Sequence, residues 1–457
     1  MPVAFAPVCA VPPPALTLAL ALVRLRRLAL AATLVLPLAL TACGGDDGDG
    51  DDDDGTPVAT APVETPAPPA TPAAPIEQPD TRNQAYLKAK AGDIIQVRIE
   101  ELHPTQDAIG YDQIYYKLGR WQGDFNRPTW AGNAVNQLDY LNRTVGKKFD
   151  DYCEDMGMSE RAADFATIAE AQAARLDDPK TFTCADAPGT NADVLKTVVV
   201  GWDGNLYLTD GHHTFSALRE IADGGPTLPV WVKVDANYSD AGSASAFWTR
   251  MVDEKKAWLR DGNNQPITVD QLPTRVGLPQ DAEPGGMSED KYRSLVYFTR
   301  DIAYSNGDLP EFAEFQWGDW LRGQVSLGNL QPLTNYRTAA PNTLTQILAV
   351  SKLNSTLTPT DSNDSYAAAV RDASLKMAAL ADNAVVSGSV TAAQLGRIQL
   401  VPSAASGSPT KTARDTLEEL PRNDVKSDGS PRGAGKLWFA ANYRACGKPA
   451  AGTCWGY

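Results

Sequence analysis

Histidine is scarce in this chain: 457 residues hold three, His103, His212 and His213. Any chemistry that needs an imidazole therefore has three places to happen. No Cys-x-x-Cys pair occurs and no histidine neighbours a cysteine, so the usual zinc-site spacings are missing. Positive charge is also short. The balance of 41 Lys and Arg against 56 Asp and Glu gives −15, the wrong sign for a surface that coats nucleic acid, and leaves room only for a local basic patch. Internal repeats are absent, and the apolar run "LALAATLVLPLAL" is too short for a membrane span. What remains is a globular composition, 43% hydrophobic and 21% charged, long enough for one large core or two smaller ones.

The N-terminus points to export. Arg24, Arg26 and Arg27 precede that apolar run, which ends in "LTAC" at Leu40 to Cys43, in the order of a signal peptide's charged and apolar regions. "LTAC" also resembles a bacterial lipobox, which implies cleavage before Cys43 and a diacyl anchor on it; an ordinary secretory signal with a chance cysteine is the alternative. Residues 1–42 are then the leader, with 1–22 reading as an over-long start. Residues 43–80 carry the anchor and a tether: "GGDDGDGDDDDG" extends by self-repulsion, and the following Pro/Thr/Ala-rich stretch favours extended conformations. Its spacing matches no EF-hand loop. Gly44 after the cysteine favours the outer membrane if the host has two, with the protein on the periplasmic face.

Export bears on the remaining cysteines. Cys153, Cys184, Cys446 and Cys454 allow three pairings, and the sequence-local one, Cys153 with Cys184 and Cys446 with Cys454, is the simplest for an oxidising compartment.

Periodicity divides the rest into residues 81–335, strands then helices, and 336–457, a helical and loop region with a cysteine-containing tail. "DIIQVRIEEL" (93–102) alternates as a strand and is stopped by "HPTQ". A helix is expected over 158–176 with Ser159 as its N-cap. "LKTVVVGWDGNLYLTDG" (195–211) predicts a β-hairpin, "HTFSALREIAD" a helix, and 228–237 another strand. Helices follow at 245–261, 288–306, 311–323 and 365–388, and the tail predicts a disulfide-closed loop docked on the domain. The class is α+β: a small mixed sheet with a helix after the "DGHH" turn, then helices.

"TDGHHTFSAL" carries the chemistry. Gly211 permits a sharp turn, and the free N–H groups and dipole of the following helix make an anion site with His212 and His213 on its lip. Imidazoles there can donate to phosphate, act as acid or base, or bind a metal. The bland reading has Asp210 merely capping the helix. A divalent metal is the one cofactor considered; neither its identity nor a need for it is set by the sequence.

"VVVGWDGNLYLTDGHHTFSALREI", with "LPVWVKV" after it and "VRIEELHPTQDAIGYDQIYYKLGRW" before it, resembles the ParB-like nuclease group of the ParB and sulfiredoxin superfamily. "FAEFQWGDWLR" resembles the Trp-rich helix that closes that group, so the resemblance spans about residues 84–325. It implies a nucleotide-phosphate pocket at the glycine-containing helix start and brings His103, at the end of the first strand, to the same pocket. His212, His213, Asp210 and His103 become the catalytic candidates. Gly211, Thr214, Gln106 and Lys117 become substrate-binding candidates. The chain departs from its relatives: the arginines that follow the glycine in ParB and the cysteine of sulfiredoxin are missing, no helix-turn-helix half follows, and an exported protein lacks a dependable ATP or CTP supply.

Two functions follow from this. One is a nuclease, phosphodiesterase or phosphotransfer-like hydrolase in which the histidines hold or protonate a phosphate and Asp210 orients an imidazole. The other is a non-catalytic lipoprotein using the pocket for a small anion or protein partner, which the acidic charge favours. The partners expected are the membrane, through the anchor, and a phosphate-containing ligand; the charge argues against nucleic acid.

Overall fold

The computed structural model describes residues 80–121, 133–280, 283–305, 307, 309–350, 353–354, 357–400, 413–423, 426–427 and 434–446. The leader, Cys43, the acidic tether and the Cys446–Cys454 pairing lie outside the described residues.

A short helix α1 (Gln84–Lys88) leads into β1 (Ile94–Arg98), β2 (Leu102–Pro104), β3 (Ala108–Ile109) and α2 (Tyr111–Trp121). Helices α3 (Ala134–Arg143), α4 (Val145–Asp155) and α5 (Ile168–Ala173) precede the hairpin β4 (Thr197–Val200) and β5 (Leu206–Leu208). Next come α6 (His212–Glu220), β6 (Pro229–Asn237), α7 (Ala244–Asp253), β7 (Ser288–Glu289), α8 (Lys291–Thr299) and α9 (Ala313–Ser326). The C-terminal part adds α10 (Leu344–Leu348), α11 (Tyr366–Ala378), α12 (Ala413–Glu419) and α13 (Lys436–Cys446). None of the described helices is long and apolar enough to cross a membrane.

The fold is α+β. One mixed sheet runs β1-β6-β4-β5-β2. β6 shows why it forms: Val230, Val232 and Val234 alternate with Trp231 and Lys233, so one face is fully buried and the other half-covered. β4 and β5 pair antiparallel as the hairpin pattern predicts, and α6 carries the chain across to β6, which lies parallel to β4. β2 adds parallel to β5 at the edge, with His103 opposite Tyr207.

Several expected elements are shorter than their periodicity predicts. The strand over 93–102 breaks at Ile99–Glu101, a single 3-10 turn held by the Glu101 carboxylate on the Arg98 N–H at 2.7 Å. The helix over 158–176 is confined to α5, capped by Thr167 on the Glu170 N–H. Upstream, Arg161 is drawn inward onto Asp150 at 2.6 Å and Ser159 takes φ 59, so buried ion pairing overrides helical spacing there. α7 stops before Lys255 (φ 57) and α8 before Asp301 (φ 63), each in the left-handed region that ends a helix. Cys153 on α4 is joined to Cys184 with their Cα atoms 5.6 Å apart, as expected.

Two large apolar cores result, with a smaller one on the other face of the sheet around Tyr207, Tyr238, Phe247 and Met251. Of the two large cores, one lies between the sheet, α2 and α4; the other is built from α8, α9, α11 and α13. The tail is not a docked loop up to Cys446 but the helix α13, and its reason is amphipathy on two sides: Phe439 and Tyr443 enter the sheet core while Leu437, Ala440 and Ala441 enter the helical one. On α2, Asp112 accepts from Tyr366 of α11 at 2.7 Å and from Arg444 of α13 at 2.8 Å. Residues past 335 thus complete the domain.

Candidate functional site

Gly211 begins the site. It is the N-cap of α6 at φ 101, and a Cβ there would stand 2.6 Å from the Lys196 side chain, so conformation and space both require glycine. No side chain caps the helix. Asp210 therefore does not do so. Its carboxylate is 66% exposed and lies 3.9 Å from Lys196. Among the described residues the backbone N–H groups of His212, His213 and Thr214 have no acceptor, as the first turn of an uncapped helix leaves them.

The two imidazoles are held from behind. His212 Nε2 accepts the Thr105 N–H at 3.2 Å and His213 Nε2 accepts the Gly110 N–H at 3.0 Å. An imidazole accepting at Nε2 carries its proton on Nδ1 and is neutral. The surroundings agree. Burial takes His212 down to about 3, and burial together with Arg293 and His212 keeps His213 well below the ordinary histidine range. Burial thus favours the neutral form of both imidazoles, and what orients them is not Asp210 but the backbone N–H groups of Thr105 and Gly110 in the "HPTQDAIG" segment.

An open cavity of about 570 Å³ lies in front of this helix start. Gln106, Lys117, Thr214, Asp210, Gly211, His212 and His213 all line it, so those candidates are brought together. His103 is not among the lining residues. On β2 it alternates away from Leu102 and Pro104 and packs on Tyr207 with ring centroids 5.6 Å apart, in the aromatic cluster on the other side of the sheet. Convergence of the histidines thus holds for two of three. Gln106 is buried and spends its Nε2 on the Ala108 carbonyl at 2.9 Å.

The cavity's cations come from three parts of the chain. Lys117 on α2 and Lys196 before β4 share the Asp155 carboxylate at 3.5 and 3.2 Å. Arg293 and Arg300, from α8 and its end, share Glu314 of α9. Burial opposes the charge on each carboxylate, but the paired cations override it, holding Asp155 below the ordinary range and Glu314 at about 2. Nε and Nη1 of Arg293 and Nε of Arg300 are buried with no acceptor among the described residues. Arginine thus reaches the cavity at Arg293 and Arg300 and not from the residues that follow Gly211. Their only sequence signal is a seven-residue spacing, close to two helical turns, within the helix expected over 288–306.

Gly110 lets α8 come this close. A Cβ there would meet the Ser294 backbone nitrogen at 2.9 Å. At the rim, burial and the neighbouring Asp210 push Glu311 above the ordinary carboxylate range. Among the described residues no three His, Cys, Asp or Glu side chains group as a metal site.

The fold and the cavity define a mixed-sheet domain with a glycine-started, histidine-bearing helix facing a pocket. The family described as "Putative ParB-like nuclease" matches residues 95–323, about half of the chain, and the chain belongs to that family. Among solved structures it is similar to protein Atu1540 from Agrobacterium tumefaciens, at 18% identity over 51% of this chain and 80% of that one, with a TM-score of 0.32. No curated protein matches the sequence.

Proposed function

We propose that this chain is an exported, lipid-anchored protein whose ParB-like domain binds the phosphoryl group of a small ligand at the start of α6. The observation that carries this reading is Arg293: 5% exposed, lining the cavity, with two of its nitrogens unpaired. Each buried unsatisfied donor costs about 1–3 kcal/mol, and the positive charge of this guanidinium attracts an anion into the cavity that Arg293 lines. The free N–H groups of α6 and the helix dipole attract the same anion. The neutral imidazoles favour binding through N–H donation over proton transfer by histidine.

Phosphoester cleavage is the second reading, favoured by Glu311. Its raised pKa, in a cavity that the ionised Glu314 also lines, is the kind of separation that assigns acid and base roles. Calorimetric titration of inorganic phosphate into the wild type and Arg293→Gln tests the binding reading, which fails if both give the same null isotherm. Turnover of bis-p-nitrophenyl phosphate lost in Glu311→Gln would support the second. The anchor is tested by mass spectrometry of the membrane-extracted protein: a mature N-terminus other than acylated Cys43 overturns it.

A further inference from the structure

The arrangement of charge narrows the ligand. In the depth of the cavity two cation pairs each share one carboxylate: Lys117 and Lys196 on Asp155, Arg293 and Arg300 on Glu314. In that depth four cations face two carboxylates, an excess of two positive charges that Asp210 offsets in part from the rim, 3.9 Å from Lys196, and three backbone N–H groups and neutral imidazoles add to it. At the rim the sign reverses. Asp210 and Glu311 line the mouth, and Asp210 pairs only loosely with Lys196, at 3.9 Å. Beside them Phe312 lines the same cavity and packs against Trp258 with ring centroids 5.3 Å apart.

A phosphomonoester carries close to two negative charges above its second pKa of about 6. A diester carries one and leaves one interior cation unmatched. In a polynucleotide the flanking phosphates would lie against Asp210 and Glu311, where like charges repel. Resting on the phosphoryl-binding reading above, we infer that the site selects a dianionic phosphomonoester whose remainder is uncharged and apolar enough to lie on Phe312. Nucleic acid held through its internal phosphates does not fit it.

The test is calorimetry on the folded protein with four probes: phenyl phosphate, dimethyl phosphate, an unphosphorylated oligonucleotide, and the same oligonucleotide with a 5′-phosphate. Phenyl phosphate should bind at least roughly tenfold more tightly than dimethyl phosphate, from the second charge acting at short range. Its affinity should rise between about pH 5 and 7.5 as the ester loses its second proton. Neither oligonucleotide should compete. Lys117→Gln, which leaves Asp155 paired with Lys196, should narrow the monoester preference while far-UV circular dichroism stays unchanged. Equal affinity for the two small esters, or tighter binding of the unphosphorylated oligonucleotide, overturns the selectivity and leaves the phosphoryl reading standing. Failure of all four probes overturns both.

Discussion

The Nε2 of His213 accepts the backbone N–H of Gly110 at 3.0 Å, and this bond ties the start of α6 to the entry of α2. Because Gly110 also lies under the backbone of Arg293 and Ser294, one residue sets the spacing of three helices around the cavity. Gly110→Ala should cost about 1–3 kcal/mol, since a methyl group pressed on backbone has no side chain to push aside. Urea unfolding read by circular dichroism measures it; an unchanged midpoint would mean that α8 can move away freely.

His212 makes stability depend on pH in a stated direction. Its folded pKa, about 3, lies below the ordinary 6.5, so in that window the unfolded chain binds a proton that the folded one refuses. The stability it contributes is fully present above about pH 6.5 and is lost as pH falls towards 3, at up to roughly 1.4 kcal/mol per pH unit. Urea midpoints at pH 7.5, 6.0 and 5.0 should fall more steeply for the wild type than for His212→Gln. Nitrogen-15 NMR should show both Nε2 atoms unprotonated at pH 7.

Reduction should loosen the region between α4 and β4. The Cys153–Cys184 bond closes a loop with a sequence separation of 31, for which chain entropy gives about 3–4 kcal/mol. Thermal melts with and without a phosphine reductant measure the difference. Peptide mapping that finds two free thiols at these positions would contradict the pairing.

Arg444→Ala should destabilise the fold by about 3 kcal/mol, because among the described residues the buried Asp112 carboxylate is left with the Tyr366 hydroxyl as its donor. Removal of residues 434–457 should be worse: it strips Phe439 and Tyr443 from one core and Leu437 from the other. Soluble expression of that truncation with a wild-type melting temperature would show that the family-matched segment folds without α13.

The sequence by itself determined the local parts. Strand alternation in "LPVWVKVDAN", the β-hairpin, and the helix beginning at "DGHH" with Gly211 at its cap are short-range consequences of side-chain period and of one residue without a Cβ. The "HPTQ" segment was legible as a neighbour of that helix, though for a different reason than expected: it supplies the Thr105 N–H, while His103 turns to the other face of its strand. Only the tertiary structure decided the cavity's charge. Arg293, Arg300 and Glu314 are remote in sequence from the histidines and meet them because α8 packs against the glycine at 110 and α9 packs on α8. Tertiary structure also decided the protonation state of the imidazoles, since burial and two backbone donors are properties of packing that no residue carries alone.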